Sequence, residues 1–149
     1  MPKLVLFIPC EKLIVDEDQN PSLITIIQTL NVSIPAGQAI PKEVMSPQQW
    51  DIVTIWLPER DDQGKSFRQI IEFVGQDGGI PIRGETSLNL EQGKWCRQKI
   101  HVFGMPVGYV GQNTLKLWLE ADGVKAAEPL ATYPLYINHI QQQEGALPV

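Results

Sequence analysis

Two histidines and two cysteines are all that this chain of 149 residues offers of the side chains that most often bind metals or carry out nucleophilic chemistry. No CxxC or HxxxH spacing occurs, which excludes the zinc sites built from such pairs. Phosphate-cradling glycine loops are missing too, because GMPVGYVG at residues 104–111 has no Lys-Ser/Thr pair and no helical pattern after it. Positive charge is in deficit, with 12 Lys and Arg against 17 Asp and Glu, a net charge of −5 and a pI near 5.0. A chain of that balance lacks the basic patch that neutralises several phosphates, so no nucleic-acid partner is expected.

Long apolar runs are also absent. LVLFIP, residues 4–9, is followed at once by CEK and has neither the length nor the cleavage site of a signal peptide. No other run approaches a membrane span. A cytoplasmic location without a membrane span is therefore expected. Cys10 and Cys96 fit it as free thiols, since both lie in strand-like segments where a thiol behaves as a small buried hydrophobe.

Helical periodicity is nearly missing, and in its place β-branched and aromatic residues recur in short runs separated by Gly, Pro, Asn and Asp clusters. Lys3 to Pro35 reads as two apolar strands joined by the polar turn DEDQNPS. Pro9 cannot donate to a ladder, so the first strand is expected to change partner there and to leave one sheet for the other. Residues 36–49 carry too many prolines for a strand, and Ser46-Pro47 predicts a short helical turn near residues 46–50. In the fourth predicted strand Phe67, Ile71 and Phe73 share one face, and in the sixth Arg97, Lys99 and His101 lie opposite Cys96, Ile100 and Val102. The clearest alternation is TLKLWLEADG, with Leu115, Leu117 and Leu119 on one side and Trp118 on the other, closed by Asp122-Gly123. The fifth, carrying Pro81 and Gly84, reads as an edge. The fold expected is all-β: a single antiparallel sandwich of about seven to nine strands over residues 1–140, with residues 141–149 as a flexible tail.

The opening IPCEKLIVDEDQNPSLITII, the middle FRQIIEFVGQDGG, and TLKLWLEADG followed by YPLYI resemble a group of uncharacterised bacterial all-β proteins sharing a domain of unknown function. The resemblance spans Leu4 to Ile140 and implies a sandwich of the immunoglobulin-like or C2-like kind. It supplies no activity and no site residue.

No catalytic set emerges from the residues. His101 lies five positions from Cys96, which puts the two on opposite faces of one strand, and Cys10 could meet His139 only through a fold contact. Strand parity offers a different grouping. If the chain runs up and down without skipping, alternate turns gather Asp16, Glu17 and Asp18, Asp61 and Asp62, Glu91, and Asp122 at one end. Oxygen-rich loops of that kind suit a hard cation, which makes Asp16, Asp18, Asp61, Asp62 and Asp122 weak calcium candidates, against the plain fact that tight turns favour Asp. Trp56 and Trp118 stand out of register with clear core positions and are either contact residues for a protein partner or a second copy, or part of a second buried face. The expectation is a non-catalytic binding or structural interaction module without a cofactor. The alternative is a divalent-cation-dependent ligand-binding protein or enzyme using the acidic turns.

Overall fold

In the computed structural model, which describes residues 1–143, ten strands and one 3-10 turn, Arg60–Asp62, make up the ordered elements. The strands are β1 (Lys3–Val15), β2 (Pro21–Ile26), β3 (Thr29–Ile34), β4 (Ser46–Leu57), β5 (Phe67–Val74), β6 (Ile82–Leu88), β7 (Cys96–Met105), β8 (Gly111–Ala121), β9 (Val124–Lys125) and β10 (Ala131–Gln141). They form two sheets, one ordered β2-β1-β4-β7 and the other β3-β10-β8-β5-β6 with β9 beside β8. The all-β class is as the sequence indicates. Of the predicted tail, residues 141–149, Gln141 ends β10 opposite Ile34 and the Gln142 amide bonds the Ile34 carbonyl, while residues 144–149 lie outside the described residues.

Alternation decides which side chains fill the space between the sheets. Trp50, Ile52 and Trp56 point inward from β4 and meet Phe67, Ile71 and Phe73 of β5 and Leu115, Leu117 and Leu119 of β8. Each such side chain, fully withdrawn from water, contributes roughly 1.5–3 kcal/mol. The Asp122-Gly123 turn joins β8 to β9 with both residues at positive φ, 47° and 82°, which is the twist a two-residue hairpin requires.

Four expectations are corrected. Ser46-Pro47 starts a strand and not a helical turn, because Ser46 pairs with Met105 and the register then shifts before Gln49, so Pro47 falls at an irregularity where its missing N–H costs no ladder bond. The return strand breaks at Ile27 and Gln28 into β2 and β3, which lie in different sheets, and with the two-residue β9 the strand count is ten. β3 runs parallel to β10, so the sandwich is not wholly antiparallel. Pro9 sits unbulged opposite Ile52 in an inner strand, while the irregularity of β1 lies between Leu4 and Leu6. Pairing with β4 ends at Cys10, pairing with β2 begins there, and β1 stays in its own sheet.

Beyond Cys10 the β1–β2 hairpin turns back across the outer face of its sheet. The Leu13 amide reaches the outward-pointing Asp51 carboxylate, and the Gln19 carbonyl, in the hairpin's turn, accepts from Arg97 of β7. Thr25, opposite Glu11 where the hairpin bends, holds a φ of 50° that a β-branched residue rarely adopts.

Candidate functional site

Cys10, Asp51 and His101 are direct partners across β1, β4 and β7, so their side chains share one row on the outer face. The folded-back hairpin covers the first two: Cys10 is fully buried and Asp51 is 3% exposed. A carboxylate so enclosed needs hydrogen bonds on both oxygens. Asp51 Oδ2 accepts the Leu13 amide at 3.1 Å, and Oδ1 accepts His101 Nδ1–H at 2.6 Å. Burial foremost, and then the charge of Asp51, pushes the Cys10 thiol pKa up and keeps it protonated.

His101 is half-exposed at the rim of this row, and its second nitrogen, Nε2, lies 2.9 Å from Gln49 Oε1. With Nδ1–H committed to Asp51, Gln49 accepts from Nε2–H when the ring is protonated, and with its amide turned over donates to Nε2 when the ring is neutral. Both protonation states keep their hydrogen bonds. The Phe103 ring packs edge-to-face with the imidazole, with centroids 4.7 Å apart. His101 also lines a cleft of about 370 Å³ between the facing edges of β6 and β7, where the sandwich is open. Its walls include Ile71, Ile82, Ile100 and Phe103, and its cationic group is Arg83, which also pairs with Glu85 at 2.5 Å. Among the described residues no hydroxyl or thiol bonds to His101, and Cys10 is separated from it in the row by Asp51. The other histidine is structural, its Nε2 lying 2.6 Å from the Val107 carbonyl.

The acidic residues singled out in the sequence have other work. Ladder registers do place the turns holding Asp61, Asp62, Glu91 and Asp122 at one end, and the folded hairpin brings Asp16 and Asp18 toward it. Asp16 Oδ1 accepts the amides of Asp18 and Asn20, and Asp122 Oδ1 accepts the Ser66 amide. Asp62 is buried, takes the Glu59 amide on Oδ2 and stands 3.0 Å from the Met1 amino group, with Asp61 at 3.7 Å. The hydrogen bond to Asp62 is the main reason that amine is held above its usual pKa. Among the described residues no three His, Cys, Asp or Glu side chains are grouped to share a metal ion. Asp16, Asp62 and Asp122 thus hold loop backbone by accepting amides, as turn chemistry favours.

Trp56 is corrected from a contact candidate to core: it is fully buried and bonded to Gln69 across the sandwich. Trp118 lies on the outer face with the Lys125 ammonium 4.2 Å above its ring, partly covered by its own hairpin. Asp51 went unnoticed in the sequence. Its signal was present, a single carboxylate inside the apolar run WDIVTIWL, where an ionised group persists only with partners.

No family model matches this chain, and no curated protein matches it. Among solved structures, a Pseudomonas fluorescens alkylpurine DNA glycosylase, AlkC, bound to DNA containing an abasic site analog, is similar over 75% of this chain at 15% identity and a TM-score of 0.35. The chain spans only 30% of that protein's length. That comparison, to an enzyme, stands against the non-catalytic interaction module expected from the sequence, which is withdrawn; at so low a TM-score it assigns no activity to this chain.

Proposed function

We propose that the protein is a small-molecule hydrolase in which His101 is the general base and the β6–β7 cleft seats the substrate. The observation that carries this reading is the 2.6 Å contact between the buried Asp51 carboxylate and His101 Nδ1, which fixes the tautomer; Nε2, held by Gln49 at 2.9 Å, exchanges a proton once a water takes that side chain's place. With no hydroxyl or thiol beside the ring, the nucleophile is water. Neutral His101 takes a proton from water at Nε2 as its oxygen adds to an ester carbonyl, and the imidazolium, stabilised by Asp51, returns the proton to the departing alkoxide. The apolar walls suit a short acyl chain, and Arg83 supplies positive charge for the developing oxyanion. The finer description as an immunoglobulin-like or C2-like sandwich, and a cytoplasmic place of action, belong to the same proposal; two free, buried cysteines support the latter.

The test is hydrolysis of p-nitrophenyl acetate and butyrate with three proteins. His101→Gln is expected to lower the rate by about 100-fold, within the usual range for a positioned base. Gly84→Leu, whose Cβ makes an ordinary 3.4 Å contact with Ile100, fills the cleft and is expected to suppress the butyrate rate while leaving His101 in place. Wild-type hydrolysis that neither change alters would overturn the proposal, as would a rate no higher than that of free imidazole.

A further inference from the structure

Folding the β1–β2 hairpin back over its own sheet creates a second concavity, at the opposite end of β7's outer face from His101. Val5, Pro21 and Ile55 give it apolar walls, Trp95, Arg97, Gln19 and Asn20 complete the lining, and its volume is about 220 Å³, or roughly seven waters' share of liquid volume. Two features of the lining are unexplained by packing. Trp95 is 65% exposed, although a ring of that size ordinarily buries most of its surface. Arg97 gives one N–H, on Nη1, to the Gln19 carbonyl at 2.9 Å and has no carboxylate partner among the described residues, in a chain that carries an excess of acids.

A guanidinium keeps five donors in a planar fork that matches a carboxylate, and one hydrogen bond to Gln19 leaves most of that fork unused. The carbonyl it does hold belongs to a residue at a φ of 66°, so the same contact pins the turn that closes the pocket. A flat apolar group would bury area against Val5, Pro21 and Ile55 while stacking on Trp95. From this pairing of an unused guanidinium fork with an exposed indole wall, we infer that the pocket binds a small aromatic monocarboxylate, the ring against Trp95 and the carboxylate on Arg97. The inference is independent of hydrolysis at His101.

Benzoate is the probe and benzamide, its uncharged near-isostere, the control, with binding followed by backbone amide shifts in NMR. Benzoate is expected to saturate shifts at Val5, Gln19, Asn20 and Trp95 in the low millimolar range, and benzamide to bind at least about 10-fold more weakly. Arg97→Gln keeps a donor for the Gln19 carbonyl and is expected to remove that preference for the charged ligand. Trp95→Ala, at a position 65% exposed, is expected to weaken both ligands together. Equal binding of benzoate and benzamide, shifts confined to another part of the molecule, or no saturation by benzoate up to about 10 mM would each overturn the assignment.

Discussion

Trp56 donates its indole N–H to Gln69 Oε1 at 3.0 Å, so that a tryptophan of one sheet is tied to a glutamine of the other in the middle of the core. The same oxygen accepts the Thr54 hydroxyl at 2.7 Å, and the Gln69 amide nitrogen donates to Thr86 at 2.8 Å. Gln69→Leu keeps the volume and strands the indole N–H and the Thr54 hydroxyl. A loss of roughly 2–4 kcal/mol is expected in urea unfolding, with an unchanged slope. Trp56→Phe and Gln69→Leu combined should cost less than their sum, because with phenylalanine at 56 there is no indole N–H for the loss of Gln69 to strand. Strict additivity would show that the bridge does not act as a unit.

Trp56 also shows where sequence reading stops. The alternation of Leu115, Leu117 and Leu119 was legible because one face of β8 is buried and the other is not, and period two then shows in the residue types. β4 is buried on both faces, its outer one beneath the folded hairpin, so Val53 and Trp56 are both fully buried and alternation says nothing about which points inward. The fold-back itself was illegible. It depends on what the outer face of the sheet needs covered, which is known only once the sheet exists, and it is also what encloses Asp51 and thereby orients His101.

Thr25 marks the bend with a φ of 50°. Left-handed backbone at a β-branched residue stores roughly 1–3 kcal/mol, and glycine would release it at an entropic cost of about 0.5–1 kcal/mol. Thr25→Gly is therefore expected to stabilise the protein by about 1 kcal/mol, and Thr25→Ala by less. Calorimetry decides this through the melting temperature. A drop on substitution by glycine would mean that the threonine side chain contributes more than its backbone costs.

Gly108 lets the β7–β8 loop press against the long connection after β3. A Cβ there would stand 2.2 Å from the Pro41 carbonyl oxygen and 2.7 Å from the Lys42 Cα, and backbone atoms cannot swing aside as side chains do. Gly108→Ala is expected to destabilise by about 2 kcal/mol or more and to shift amide resonances of residues 40–45. Gly37→Ala is the control. It meets nothing within 4 Å and bears only the strain of its φ of 74°, so it should cost about 1 kcal/mol and leave those resonances alone.

Cys10 gives the stability a pH dependence whose sign follows from its surroundings. Burial, the larger cause, and the Asp51 carboxylate both raise the thiol pKa in the folded protein. The unfolded chain ionises near the ordinary value of about 8.5, so above that pH the folded state binds more protons than the unfolded one. The contribution is complete below the unfolded pKa and is lost as pH rises through the folded pKa. Burial also raises the Tyr133 phenol pKa, which adds a second loss above about pH 10, so the informative window is roughly pH 8–10. In that window the urea midpoint of the wild type is expected to fall more steeply than that of Cys10→Ala, whose packing loss is the same at every pH. Parallel curves would show that the thiol ionises as readily in the folded protein as in the unfolded chain, and that the hairpin does not seal the row that Cys10 shares with Asp51 and His101.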